Sequence, residues 1–163
     1  MSESAPLRFD AENTFAAFEG LWCSGQLSVA DMARLPALGV ATVINLALPT
    51  SSKALSGEAE QVTSLGMNYV HIPVLWDAPK PVQFEQFAGV MAALGQQPVW
   101  LHCAKNMRAS AFVYLYRLLI RGETEEQASW PMSQIWAPNP VWQQWISAVR
   151  ASHRHSYGRG AAH

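Results

Sequence analysis

The stretch from Pro98 to Arg121, PVWLHCAKNMRASAFVYLYRLLIR, decides how this chain is read. It opens on a short apolar run that reads as a strand ending at His102. Cys103 follows, then a tight loop closed by Arg108. Ser110 comes next, within an apolar run from Ala109 to Arg121 that reads as a helix stopped by Gly122. A strand that hands a cysteine to a loop feeding a helix N-terminus builds an anion site. Backbone N–H groups of such a loop turn inward, and the helix dipole adds positive potential. Arg108 supplies a planar fork of donors that fits a tetrahedral oxyanion. Thiols in such a field ionise more readily, and the thiolate is the nucleophile. The pattern implies attack by Cys103 on a phosphoryl or similar centre held by Arg108.

Outward from this stretch, strands and helices alternate. Val40–Leu48, VATVINLAL, is β-branched and almost wholly apolar, which suits a strand buried on both faces. Asn68–Leu75, NYVHIPVL, alternates as a strand and runs into the loop WDAPKP. Leu21–Leu27 reads as a first strand or hairpin arm, with Gly25 as a turn or bulge. Between these lie helical patterns. Ser28 and Asp31 form a capping-box start for a helix ended by Gly39. Glu58–Leu65 is a short amphipathic helix stopped by Gly66, and Val82–Leu94 carries apolar residues at helical spacing. Thr124–Gln134 reads as a helix with Thr124 and Gln127 in capping-box positions. Trp136–Val149 turns at Pro138–Pro140 and then reads as a terminal helix. Asn13–Phe18 is too short to assign, and Met1 to about Glu12 reads as a loose polar end. The sum is an α/β domain: a central, mostly parallel sheet flanked by helices.

A chain of 163 residues with half of them hydrophobic supports one domain, with its core over about residues 20–150 and flexible polar termini. Net charge is −1, so no overall basic field draws nucleic acid or an anionic membrane, and attraction for a phosphate must be local. Cys23 and Cys103 are far apart in the chain and form no C-x-x-C pair, which points to a reducing cytoplasm. The acidic start, MSESAPLRFDAEN, does not read as a signal peptide, and no apolar run reaches the length of a membrane span.

Three pieces, SGQLSVADMARLPALGVATVINLALP, NYVHIPVLWDAP and PVWLHCAKNMRASAFVYL, together resemble the cysteine-based protein tyrosine and dual-specificity phosphatase family. The resemblance spans roughly Trp22 to Ile120. It is nearest to the bacterial branch related to the phosphatase-like domain fused to β-lactamase-type hydrolases. The family motif is H-C-x5-R-[ST]. His102, Cys103 and Arg108 match it, and Ser110 supplies a nearby hydroxyl. Two departures are plain. Four residues, Ala104, Lys105, Asn106 and Met107, separate Cys103 from Arg108, one fewer than the family motif. The loop also has no glycine; Asn106 is the residue there that best tolerates positive φ.

The resemblance implies a dual-specificity-phosphatase-like fold and hydrolysis of a phosphate monoester through a phosphocysteine, with neither metal nor cofactor. The substrate would be a phosphorylated protein or small molecule; oligomeric state is not implied. Cys103 would be the nucleophile, with Arg108 and the backbone of residues 104–107 cradling the phosphate. His102 would shape the loop, and Ser110 would hydrogen-bond the thiolate. The general acid would be Asp77, the one carboxylate in LWDAPKP. Two alternatives stand beside this reading: a rhodanese-like sulfurtransferase, whose cysteine loop has the shorter length, and a non-catalytic phosphate-binding pseudophosphatase. Elsewhere Cys23 reads as core, Glu58 and Glu60 as helix N-terminal charges, and Lys105 as local positive charge. Trp130, Trp136, Trp142 and Trp145 read as packing residues of a C-terminal helical layer. His153, His155 and His163 belong to a solvated, partly disordered tail that is a weak metal signal.

Overall fold

The strand ending at His102 becomes the middle strand of a five-stranded sheet because its neighbours on both sides are as apolar as it is. The computed structural model describes residues 8–161, with side chains through Arg154. The strands are β1 (Phe15–Phe18), β2 (Leu21–Ser24), β3 (Thr42–Asn45), β4 (Asn68–His71) and β5 (Val99–His102), in the order β1-β2-β5-β3-β4. Only β1 and β2 pair antiparallel; β2–β5, β5–β3 and β3–β4 are parallel. The helices are α1 (Val29–Arg34), α2 (Glu58–Ser64), α3 (Pro81–Leu94), α4 (Met107–Leu115), α5 (Glu125–Ala128) and α6 (Pro140–Ala161). This is the mostly parallel α/β sheet flanked by helices that the alternation implies.

Both inner parallel strands, β3 and β5, are buried at every residue. Because side chains alternate across a strand, β5 divides its residues between two cores. Val99, Leu101 and Cys103 join Phe84, Phe87, Phe112, Trp142 and Trp145 beneath α3, α4 and α6. Trp100 enters the opposite core with Met32, Leu35, Val43 and Val62. There its indole Nε1 donates to Ser24 Oγ at 2.8 Å and its ring stacks on Trp22 at 5.7 Å. Helix α4 is buried from Arg108 through Leu115, so it runs through the interior with both its apolar faces covered. Phe112 stacks on Trp145 at 4.8 Å, and Trp142 meets Trp145 edge-on at 4.9 Å. These tryptophans form the C-terminal packing layer expected of them.

Local rules account for the element ends. Ser28 and Asp31 make both halves of a capping box at α1, and Thr124 and Gln127 do the same at α5. The 29–39 pattern breaks at Pro36, so α1 ends at Arg34 and a 3₁₀ turn, Pro36–Leu38, carries the chain to Gly39. The single helix expected over 124–134 is two pieces, α5 and a 3₁₀ turn at Met132–Gln134, with Pro131 between them. Residues 15–18, unassigned from sequence, are β1, held by pairs such as Phe15 with Cys23. The apolar helix begins at Met107 and its last turn, Tyr116–Ile120, is π-helical.

The two ends also differ from expectation. Residues 9–12 are held rather than loose: Asp10 and Ala11 donate their N–H groups to buried Asp31, and Phe9 packs on Trp100 at 4.8 Å. At the other end α6 continues through the Gly-rich segment to Ala161, where composition suggests a disordered tail. The loose reading of residues 1–7, and the side chains of His155 and His163, lie outside the described residues. Among the described residues no helix is long and apolar enough to cross a membrane.

Candidate active site

The C-terminal ends of parallel strands are where α/β sheets open a crevice, and β5 delivers its cysteine there. Cys103 follows the last strand residue on the α4 side and is 1% exposed. The loop then turns sharply because Asn106 takes φ 69°, ψ 8°, the left-handed conformation that the missing glycine leaves to it. Its amide Nδ2 donates to Asn13 O at 2.7 Å, which ties the turn to the chain before β1. One helical turn later, Ala109 N points back at Cys103 Sγ at 3.4 Å. The sulfur therefore lies on the N-terminus of α4, within the field of unpaired helix N–H groups.

Gly25 makes the loop's other support fit. A Cβ at Gly25 would fall 2.6 Å from Ala104 O, so the chain after β2 approaches closely only because no side chain is there. Gln26 N donates to Ala104 O at 3.0 Å, and Gly25 and Lys105 form a β-bridge. Local sequence suggests a turn or bulge at Gly25; its use is this close approach.

A cavity of about 270 Å³ opens over the loop, lined by Trp76, Cys103, Ala104, Lys105, Met107 and Arg108. Arg108 is 8% exposed, and its Nη1 donates to Val74 O at 2.8 Å. Asp77 is exposed on a bend directly after Trp76. The loop that carries Asp77 thus reaches the cavity through Trp76, which packs on Trp136 at 5.3 Å and Trp142 at 5.9 Å. Trp142 Nε1 donates to Trp76 O at 2.8 Å and holds the loop's backbone.

One expected contact differs, and one residue has a partner that the sequence does not suggest. Ser110 Oγ donates to Met107 O at 3.0 Å and accepts from Trp136 Nε1 at 3.2 Å. The donor at the Cys103 sulfur is Ala109 N instead. Glu58, which reads locally as a helix N-terminal charge, is 6% exposed and sits 2.6 Å from His102 Nε2. Gln26 Nε2 donates to its other oxygen at 2.7 Å. Sequence reasoning misses Glu58 and Gln26 because nothing local distinguishes them. The signal that could have found them is topological: both follow the C-terminal ends of strands flanking β5. Cys23 is fully buried, and burial pushes its thiol up to about 12, against a weaker opposing hydrogen bond from Asn106. Among the described residues no three His, Cys, Asp or Glu side chains converge to hold a metal ion.

Known proteins share this fold. The family described as "DSP-PTPase phosphatase fused to NAD+ Kinase" matches residues 8–150. A crystal structure of a DUF442 candidate phosphatase from Shewanella putrefaciens CN-32 is 33% identical, with a TM-score of 0.78 over 88% of this chain and 95% of that one. PTPMT1 in complex with PI(5)P shares the fold at 16% identity, with a TM-score of 0.70 over 90% of this chain and 98% of that one. TpbA of P. aeruginosa in complex with pTyr shares it at 18% identity, with a TM-score of 0.62 over 83% of this chain and 81% of that one. No curated protein matches the chain. A cysteine-bearing loop at the end of β5, on a dual-specificity-phosphatase fold matched across residues 8–150, places this chain in the family of DSP-PTPase phosphatases of the kind fused to NAD+ kinase.

Proposed function

We propose that the protein is a cysteine-dependent phosphatase that hydrolyses a phosphate monoester through a phosphocysteine. The observation that carries this reading is that Cys103 and Arg108 line one cavity together with Ala104, Lys105 and Met107 of the loop between them. Cys103 thiolate attacks phosphorus in line, forming the S–P bond as the ester P–O bond breaks. Asp77 gives its proton to the leaving oxygen. Water then attacks the phosphocysteine, the S–P bond breaks back to thiolate, and Asp77 takes the water's proton. Arg108 and the N–H groups of residues 104–108 hold the equatorial oxygens throughout.

The cavity is small beside typical ligand pockets of roughly 300–1,000 Å³, which suits a compact phosphate head with the rest of the substrate outside. Phosphotyrosine and PI(5)P, the ligands of the two complexes above, are the substrates to try first. The two free, buried cysteines fit a reducing cytoplasm. The deciding experiment is turnover of an aryl phosphate: Cys103→Ser abolishes it and Asp77→Asn slows it strongly. Wild-type protein that turns over neither aryl, alkyl nor small-metabolite phosphates overturns the proposal. A mass gain of one sulfur on Cys103 with thiosulfate would favour sulfur transfer instead.

A further inference from the structure

Behind the Cys103 loop, on the α2 side of the sheet, His102 of the motif is buried against Glu58, a residue that the phosphatase reading does not use. His102 is fully buried and Glu58 is 6% exposed. His102 Nε2 stands 2.6 Å from Glu58 Oε2, and Nδ1 stands 3.2 Å from the backbone oxygen of Cys103. A carbonyl oxygen only accepts, and so does an ionised carboxylate. Glu58 is held ionised. Burial works to raise its carboxyl, but the hydrogen bond and charge of His102, with hydrogen bonds from Gln26 and Tyr69, bring it below the usual value. Both ring nitrogens of His102 therefore face acceptors, and an imidazole donates from both only as the imidazolium.

The second of these bonds bears on the anion site. In a trans peptide the carbonyl and the following N–H point to opposite sides. Cys103 O is turned back onto His102, so the N–H of Ala104 is turned the other way, and Ala104 lines the cavity. The next peptide is pinned from the same side, since Ala104 O accepts from Gln26 N at 3.0 Å. Gln26 also reaches Glu58 through its side chain. A neutral His102 bonded to Glu58 through Nε2–H would turn a lone pair onto Cys103 O, acceptor against acceptor, and the peptide would have to rotate.

We propose that Glu58 is a positioning residue for the oxyanion loop: it keeps His102 doubly protonated, and the imidazolium fixes the Cys103–Ala104 peptide with its N–H toward the bound anion. This rests on the loop being the phosphate site, as the phosphatase reading has it. Glu58→Gln keeps an acceptor for His102 Nε2 and removes the charge, so it tests the charge and not the contact.

The test uses the whole protein with nitrogen-15-labelled imidazoles, the His102 signal being assigned in the wild-type protein by correlation with its own backbone resonances. At neutral pH the wild-type ring carries two protons, and in Glu58→Gln it carries one. Calorimetry with inorganic phosphate shows binding weakened about tenfold in Glu58→Gln, the size of one charge-assisted hydrogen bond lost. A singly protonated His102 in wild type overturns the proposal, and that result needs no variant to fold. Unchanged phosphate affinity in Glu58→Gln overturns it too. Wild type that binds phosphate with a doubly protonated His102, yet hydrolyses no ester, sinks the phosphatase reading and leaves this assignment standing.

Discussion

Arg108 Nη1 donates to the backbone oxygen of Val74 at 2.8 Å, so the arginine of the cysteine loop is fastened to the segment that leads into Trp76 and Asp77. On the phosphatase reading the guanidinium then has two partners, Val74 O and the bound anion. Its remaining N–H groups are free to face the cavity it lines, while the bond to Val74 sets how close the Asp77 loop lies. The loop's other tether, Trp142 Nε1 to Trp76 O, comes from α6. The cysteine loop and the Asp77 loop are therefore coupled through backbone oxygens, without any salt bridge between their described side chains.

Arg108→Lys breaks that double duty. An ammonium is a point charge that cannot bond Val74 O and fork onto an oxyanion together. Turnover of an aryl phosphate falls by about 100-fold, in the range for losing one oxyanion donor. Limited proteolysis within residues 74–79 speeds up in the same variant. Turnover within a few-fold of wild type would show that the guanidinium geometry is immaterial.

Asn106 carries the turn that a glycine would usually make. At φ 69° an alanine is strained by roughly 1–2 kcal/mol, and it also loses the bond to Asn13 O. Glycine relieves the strain but loses the same bond, worth roughly 1 kcal/mol. Urea unfolding should rank wild type above Asn106→Gly and Asn106→Gly above Asn106→Ala. Alanine equal to glycine would mean that φ at this position costs nothing.

What was legible in the sequence follows from range. The alternation of β-branched runs with helical spacing is a local signal, and the β2–β5–β3–β4 parallel core is what it implies. Cys103, Arg108 and the turn at Asn106 sit within six residues, so their relation is also local. The short strand at residues 15–18 was not legible because only its pairing with β2 makes it a strand. Glu58 was not legible because its partner His102 is 44 residues away, and an acidic residue opening a helix has a sufficient local reason to exist. Ser110 misled in the opposite direction: the family pattern drew its hydroxyl toward the sulfur, while in the fold Met107 and Trp136 engage it.

Asp31 shows how a cap becomes a long-range tie. Its two oxygens accept from Ser28 N at 3.1 Å, Asp10 N at 2.8 Å and Ala11 N at 3.0 Å, and it is 1% exposed. Asp31→Asn replaces one acceptor oxygen by an amide NH2 group, leaving a buried N–H facing a donor. The cost is about 2 kcal/mol, read from the urea midpoint. Phe9 should lose its contact with Trp100 as the 9–12 segment detaches, seen as a change in tryptophan emission. Asp31→Asn with wild-type stability would mean that this segment is not anchored through the carboxylate.

Glu58 also gives the protein an acid-sensitive stability. Its folded-state carboxyl titrates below the ordinary 4.5, because the bonds and charge from His102, Gln26 and Tyr69 outweigh the desolvation that would raise it. A group depressed on folding contributes stability that is present in full above its unfolded value and is lost as pH falls through the folded one. In Glu58→Gln this contribution is absent at every pH. The difference in urea midpoint between wild type and Glu58→Gln should therefore be largest near neutrality and should shrink as pH is taken from about 6 to about 3. His102 sets the direction from the other side: in His102→Gln the carboxylate loses its main partner while remaining buried, so that variant should be the less stable one at neutrality and should recover relative to wild type on acidification. A gap between wild type and Glu58→Gln that is constant across this range would mean that the carboxylate titrates alike in the folded and unfolded chain, and that the pair with His102 contributes no pH-dependent stability.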